Sequence, residues 1–378
     1  MASNTTGKSA AGTAYQIPSL DGIRAIAVLT VFIGHGFTAP RIWPGHVGVT
    51  IFFFLSGYLI TTLFRREREK TAQFAIGKFY LRRALRILPP AYVAIGASLA
   101  IAATGLIHTS VRPLGTYSEI FMFTNYYLVF QGREGLPPET SQLWSLAVEE
   151  HYYLIFPAFV LAALALKLSI RNLGWVIIGI ATCVTFWRFY LWITTGDFFR
   201  LYVSTDTRFD VLLFGSGMAL LANPVFSDPV PTWFRRNASR VIAPIALVIF
   251  SAVTLYQPYW FRLVWADLIL VACMAPLFWT AIERPDGPIT SWLNNKWIKK
   301  LGVLSFSIYL FHRLLLALIG DAISFGPIAD LLSLFATIAV AQVVFLTVEK
   351  PCGRLRKRLE GKSRLTDSRN KGTHIDSE

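Results

Sequence analysis

Ten apolar stretches, each roughly 17–25 residues long, divide this chain of 378 residues, and that is the length a helix needs to cross a bilayer. They run over 20–38, 47–64, 89–108, 143–166, 173–195, 206–222, 240–257, 262–282, 301–320 and 326–348. Hydrocarbon offers the backbone no partners, so such spans must be helices that satisfy their own amides and carbonyls. The expected fold class is all-α: a polytopic bundle of about ten transmembrane helices. Residues 1–19 form an N-terminal segment, 20–348 the membrane domain and 349–378 a basic tail. Charged residues make up 15% of the chain, against roughly 25% in soluble domains, too few to clothe a water-facing surface.

The net charge of +14 would suggest nucleic acid in a soluble protein, but here the charges fall between apolar spans. Topology accounts for them instead. With the N-terminus in the cytoplasm, the inner segments and their flanking helix ends hold 27 of the 36 Lys and Arg residues, and the outer segments hold five. An eleventh apolar stretch, 117–130, is short and contains Glu119 and Asn125. Counting it as a crossing would put the basic tail outside, so the positive-inside rule makes it re-entrant or interfacial. Both termini are then cytoplasmic, as in a multi-pass protein of the bacterial inner membrane. Lys8 stands alone before a polar stretch, so no cleavable signal is expected. Cys183, Cys273 and Cys352 suggest no disulfide framework, and no metal-ligand motif is present.

Ionisable side chains in lipid are costly and mark candidate sites. Arg24 and His35 are eleven residues apart in the first span, close to three full turns, and so share a face about 16 Å apart along the axis. Arg24 alone is as readily a lipid-phosphate anchor; His35, between Gly34 and Gly36, has room for a ligand or a helix to approach. In the second span, Phe52-Phe53-Phe54-Leu55-Ser56-Gly57-Tyr58 sets a small pair among aromatics, which suits close helix packing or a narrow slot.

The inner loop 65–88 carries eight basic residues, among them Arg83 and Arg86, spaced i, i+3 on one face. Paired guanidinium groups suit phosphate, and a lipid-facing anchor fits the spacing equally well. Near the outer end of the fourth span, Trp144-Ser145 leads into Glu149-Glu150-His151, where a carboxylate can act as base or orient a histidine. Arg208, between Asp206 and Asp210, looks like an internally paired charge, and Asp267 and Arg188 look like a second pair. His312, midway along the ninth span, is a second-site candidate.

In order along the chain stand Leu20-Asp21-Gly22-Ile23-Arg24-Ala25 with His35, Phe52-Phe53-Phe54-Leu55-Ser56-Gly57 and Tyr80-Leu81-Arg82-Arg83-Ala84-Leu85-Arg86-Ile87-Leu88-Pro89. Trp144-Ser145-Leu146 with Glu149, Asp206-Thr207-Arg208-Phe209-Asp210, Ser307-Ile308-Tyr309-Leu310-Phe311-His312 and Val348-Glu349-Lys350-Pro351 follow. The series resembles the acyltransferase 3 family of integral-membrane O-acyltransferases over nearly the whole chain. That resemblance implies transfer of an acyl group, usually acetyl from acetyl-coenzyme A as co-substrate, to a hydroxyl of a carbohydrate or glycolipid acceptor. It implies no permanently bound cofactor. A C-terminal hydrolase-like domain found in some members is not expected here. His151 departs from the residue usual at its place, so no role is implied for it.

On this resemblance His35 and Glu149 are the expected catalytic pair, with Glu149 orienting His35. Arg24, Arg83 and Arg86 are expected to bind the donor. Trp144, Ser145, Ser56, Arg208 and His312 are expected to bind substrate, the first two at the outer opening. The rival reading is a glycolipid transporter or flippase, which releases no coenzyme A thiol and often shows inverted repeats that are not apparent here.

Overall fold

The computed structural model describes residues 17–36, 44–71, 75–256, 258–323 and 326–359. The N-terminal segment up to residue 16, the last two residues of the first expected span and the tail beyond 359 lie outside them. Among the described residues there is no strand, only one isolated bridge between Val111 and Gly135. The helices are α1 (Leu20–His35), α2 (His46–Thr71), α3 (Ile76–Thr104), α4 (Pro113–Ile120), α5 (Thr124–Gln131), α6 (Trp144–Ala165), α7 (Ile170–Thr194) and α8 (Phe198–Tyr202). They continue with α9 (Thr205–Leu221), α10 (Thr232–Asn237), α11 (Ala243–Leu255), α12 (Tyr259–Val264), α13 (Ala266–Glu283), α14 (Lys296–Ala322) and α15 (Gly326–Val344).

Nine helical segments among the described residues are long and apolar enough to cross a membrane. The first expected span is shorter: α1 has 16 residues, roughly 24 Å of rise. The all-α polytopic bundle stands. The stretch 117–130 falls into α4 and α5, eight residues each, broken at Met122 with φ 57°. Neither can cross. Glu119 is buried there, its carboxyl accepting a hydrogen bond from the Thr140 hydroxyl, and burial pushes its pKa up to about 8.

Two expected boundaries move. The basic loop 65–88 is mostly helix, because α2 runs on to Thr71 and α3 begins at Ile76, so Arg83 and Arg86 sit on α3 itself. The expected tail begins as helix: the segment from Gly326 continues to Leu359. Hydropathy falls where a helix leaves the bilayer, but its backbone bonds do not, so apolar length marks the span and not the end of the helix.

Helix α2 lies at the centre. Its apolar window is 78% buried, against 22% for the segments holding α11 and α15, whose outward leucines, valines and aromatics have only lipid to face. Small residues bring α2 against α9. A Cβ added to Gly57 would stand 1.9 Å from the Leu212 carbonyl oxygen, and one on Gly215 would stand 2.1 Å from that of Phe54. Backbone on both sides leaves nothing to yield, which is how small residues drive helix association in lipid. Gly57→Ala is therefore expected to force the two helices apart and sharply reduce the monodisperse fraction recovered in detergent. A normal size-exclusion profile would contradict that packing.

Four buried charges tie the same core together. Arg188 Nη2 donates to Asp210 Oδ2 at 2.8 Å and its Nη1 lies 3.4 Å from Asp267 Oδ2, which also accepts from Arg208. Thr50 adds a bond from α2 to Asp267 Oδ1 at 2.8 Å. Helices α2, α7, α9 and α13 thus share one neutral cluster. Arg208 bonds not to the neighbouring aspartates but to Asp267, while Asp206 faces outward to Arg200.

Candidate active site

Between α1, α2, α3, α6 and α14 lies a cavity of about 760 Å3, counting its open mouth. Its walls carry Arg24, Arg83, Arg86, Ser56, Ser145 and Glu149, six of the residues singled out in the sequence. Arg86 is exposed, while Arg83 and Arg24 are half-buried. Arg24 donates from Nη1 to Asp21 Oδ1 at 2.9 Å, one turn back on α1. The Arg83 guanidinium stands 4.8 Å from the Tyr153 ring centroid, a cation–π contact that fixes its direction.

Glu149 sits deeper. Its Oε1 accepts from Ser56 Oγ at 3.0 Å and its Oε2 from Tyr153 OH at 3.0 Å. The carboxyl therefore does not reach His35 to orient it. His35 Nδ1 lies 2.8 Å from the Val31 carbonyl oxygen and 3.4 Å from His312 Nε2. The His312 Nδ1 lies 2.7 Å from the Tyr309 carbonyl oxygen. Carbonyl oxygens accept only, so both histidines carry their proton on Nδ1, an assignment inferred from the network. That leaves the Nε2 of the exposed His35 with its lone pair.

The structure thus pairs His35 with His312 and groups Glu149 with Ser56 and Tyr153. Between the two groups stands Tyr309, which lines the cavity and whose ring lies 5.7 Å from that of His312. Ser145 also lines the cavity, its Oγ 2.6 Å from Tyr309 OH. Trp144 does not. It is buried, its ring 6.1 Å from Phe53 and 5.1 Å from Tyr202, with the Arg208 guanidinium 6.0 Å away. The chain before α6 turns inward, with Gln142 and Leu143 buried, so Trp144 and Ser145 lie inside the bundle and not at an outer opening. Arg208 is likewise committed to Asp267.

Tyr153, Tyr309 and Phe52 were not singled out for the site by their sequence, yet all three line it. One signal was available: Tyr153 follows Glu149 by four residues and so shares its helix face.

The family model described as an acyltransferase domain, acyltransferase 3, matches residues 17–346. The chain belongs to the acyltransferase 3 family. It is 30% identical over 354 residues to the "Peptidoglycan O-acetyltransferase" of Listeria monocytogenes, covering 89% of this chain and 55% of that protein. It is also 30% identical over 358 residues to the "Putative peptidoglycan O-acetyltransferase" of Bacillus subtilis, covering 89% of this chain and 54% of that one. The chain therefore spans about half the length of the curated relatives it matches. No solved structure matches. As a member of this family with nine crossing segments among its described residues, it is a multi-pass membrane protein.

Proposed function

We propose that this acyltransferase moves an acetyl group from acetyl-coenzyme A to a hydroxyl of a carbohydrate acceptor, with peptidoglycan the first acceptor to test. The observation that carries this is one cavity with three guanidinium groups on its walls and a half-buried carboxyl–hydroxyl pair beside them. Arg86 at the mouth, with Arg83 and Arg24 beyond it, would hold the phosphates of coenzyme A by charge-assisted hydrogen bonds. The apolar walls would take the pantetheine arm and carry the thioester inward. The names of the two relatives support an acetyl donor and a peptidoglycan acceptor.

In the transfer, the acceptor oxygen attacks the thioester carbonyl; a C–O bond forms, the C–S bond breaks and the thiolate leaves with a proton. His35 Nε2 is the base for the acceptor hydroxyl, and its Nδ1–H is held by the Val31 carbonyl. Glu149 works on the donor side, returning a proton to the thiolate. In this reading the arginines face the cytoplasm, where coenzyme A is available, with both termini inside; the charge distribution of the chain supports that orientation.

The test is transfer of labelled acetyl from acetyl-coenzyme A to purified peptidoglycan in membranes holding the full chain. Arg83→Ala/Arg86→Ala is expected to raise the KM for acetyl-coenzyme A at least about tenfold, since each lost charge-assisted hydrogen bond is worth about 1.5–3 kcal/mol. Unchanged donor affinity in that variant would rule out the donor site.

A further inference from the structure

The donor cavity is polar at one end and aromatic at the other. Arg86 is exposed at the mouth, and away from it the wall carries Phe52 and Tyr309, whose rings meet edge to face at 6.3 Å and 70°. Tyr309 is pinned. Its hydroxyl donates to the Gln142 carbonyl oxygen at 2.7 Å and lies 2.6 Å from Ser145 Oγ, so the ring cannot swing aside without breaking two hydrogen bonds. Behind it the protein is packed: His312 is 1% exposed, with the Phe32 ring 6.4 Å away.

We infer that Tyr309, with Phe52 beside it, selects the length of the acyl group that the donor may carry. A donor anchored by its phosphates at the mouth points its acyl end at these two rings. Acetyl adds one methyl beyond the thioester carbonyl. Each further methylene must push against these two rings and the side chains packed behind them, where added volume is costly. Discrimination by one methylene in an apolar pocket runs to about 10–200-fold, so several together make a steep cut-off. The hydroxyl of Tyr309 is a positioning group for its own ring; the ring does the selecting. This rests on the acyl-coenzyme A reading above.

The experiment supplies acetyl- and hexanoyl-coenzyme A, each with a different isotope, as competing donors to membranes holding the full chain, with purified peptidoglycan as acceptor. The ratio of the two acyl groups incorporated is read within one sample, so the folded fraction cancels, and a merely structural role would not move it. The unsubstituted protein should favour acetyl by at least about a hundredfold. Tyr309→Ala should lower that ratio at least about tenfold, and Tyr309→Phe, which keeps the ring, should leave it within about threefold. Where Tyr309→Ala yields no folded protein, Tyr309→Leu and Phe52→Ala carry the same expectation. An unchanged ratio in the active small-residue variants overturns the selector while leaving the donor reading in place. Failure of the unsubstituted protein to transfer from either donor overturns the proposed donor–acceptor reaction, and the selector with it.

Discussion

Asp267→Asn should destabilise the bundle by about 3–5 kcal/mol, the usual cost of removing one partner from a buried ion pair. Asp267 accepts from both Arg208 and Arg188, and its side chain is 2% exposed. Without its charge two guanidinium groups face the single carboxylate of Asp210, and one net positive charge is left buried between α2, α7, α9 and α13. Arg208 already leaves Nε and Nη2 without a hydrogen-bond partner, and Arg188 leaves Nε, so the cluster has no spare acceptor to redistribute. The measurement is apparent unfolding temperature in detergent, expected to fall by at least about 5 °C. Asp206→Asn is the control. Its pair with Arg200 is 25% and 40% exposed, and exposed pairs contribute about 0–1 kcal/mol, so the same scan should barely move. Equal shifts in the two variants would show that the buried cluster does not hold the helices together.

The bundle was legible because lipid makes two demands that show in one dimension: apolar runs of a set length and basic residues between them. Rotation was not legible. Arg24 and His35 share a face of α1 by spacing alone, and the cavity indeed takes Arg24, but nothing in the periodicity of α6 says which neighbour Glu149 meets. The family resemblance, with two ionisable groups in the outer halves of their spans, suggests Glu149 and His35 as orienter and base; three-dimensional packing gives Glu149 to Ser56 and Tyr153 instead. Trp144 and Ser145 were put at an outer opening because the apolar span starts there, and a short inward turn at 141–143 sinks them into the core. The buried cluster shows the same limit. Charges at Arg188, Arg208, Asp210 and Asp267 are visible as expensive residues in spans, but flanking aspartates suggested the partner for Arg208, and the true partner is 59 residues away.

Glu149→Gln and His35→Ala should each lower acetyl transfer by about 10²–10⁴-fold, the range for loss of a positioned acid or base. The separation of the two groups makes a sharper expectation than either figure. Residues that act as one unit are strongly non-additive, and removing both then costs little more than removing one. Glu149 and His35 have no contact, different partners and Tyr309 between them, so their losses should combine. Single-turnover release of labelled acetyl from acetyl-coenzyme A reads this best, because it isolates chemistry from product release. Glutamine keeps an acceptor oxygen for one of the two hydroxyls that bind Glu149, so the loss reports the proton and not a collapsed wall. A double variant no slower than Glu149→Gln alone would restore the base–orienter pair and put a shift of α1 against α6 into the catalytic cycle. Transfer within tenfold of normal in Glu149→Gln would instead strip the donor cavity of its proton and leave His35 to manage both ends of the reaction.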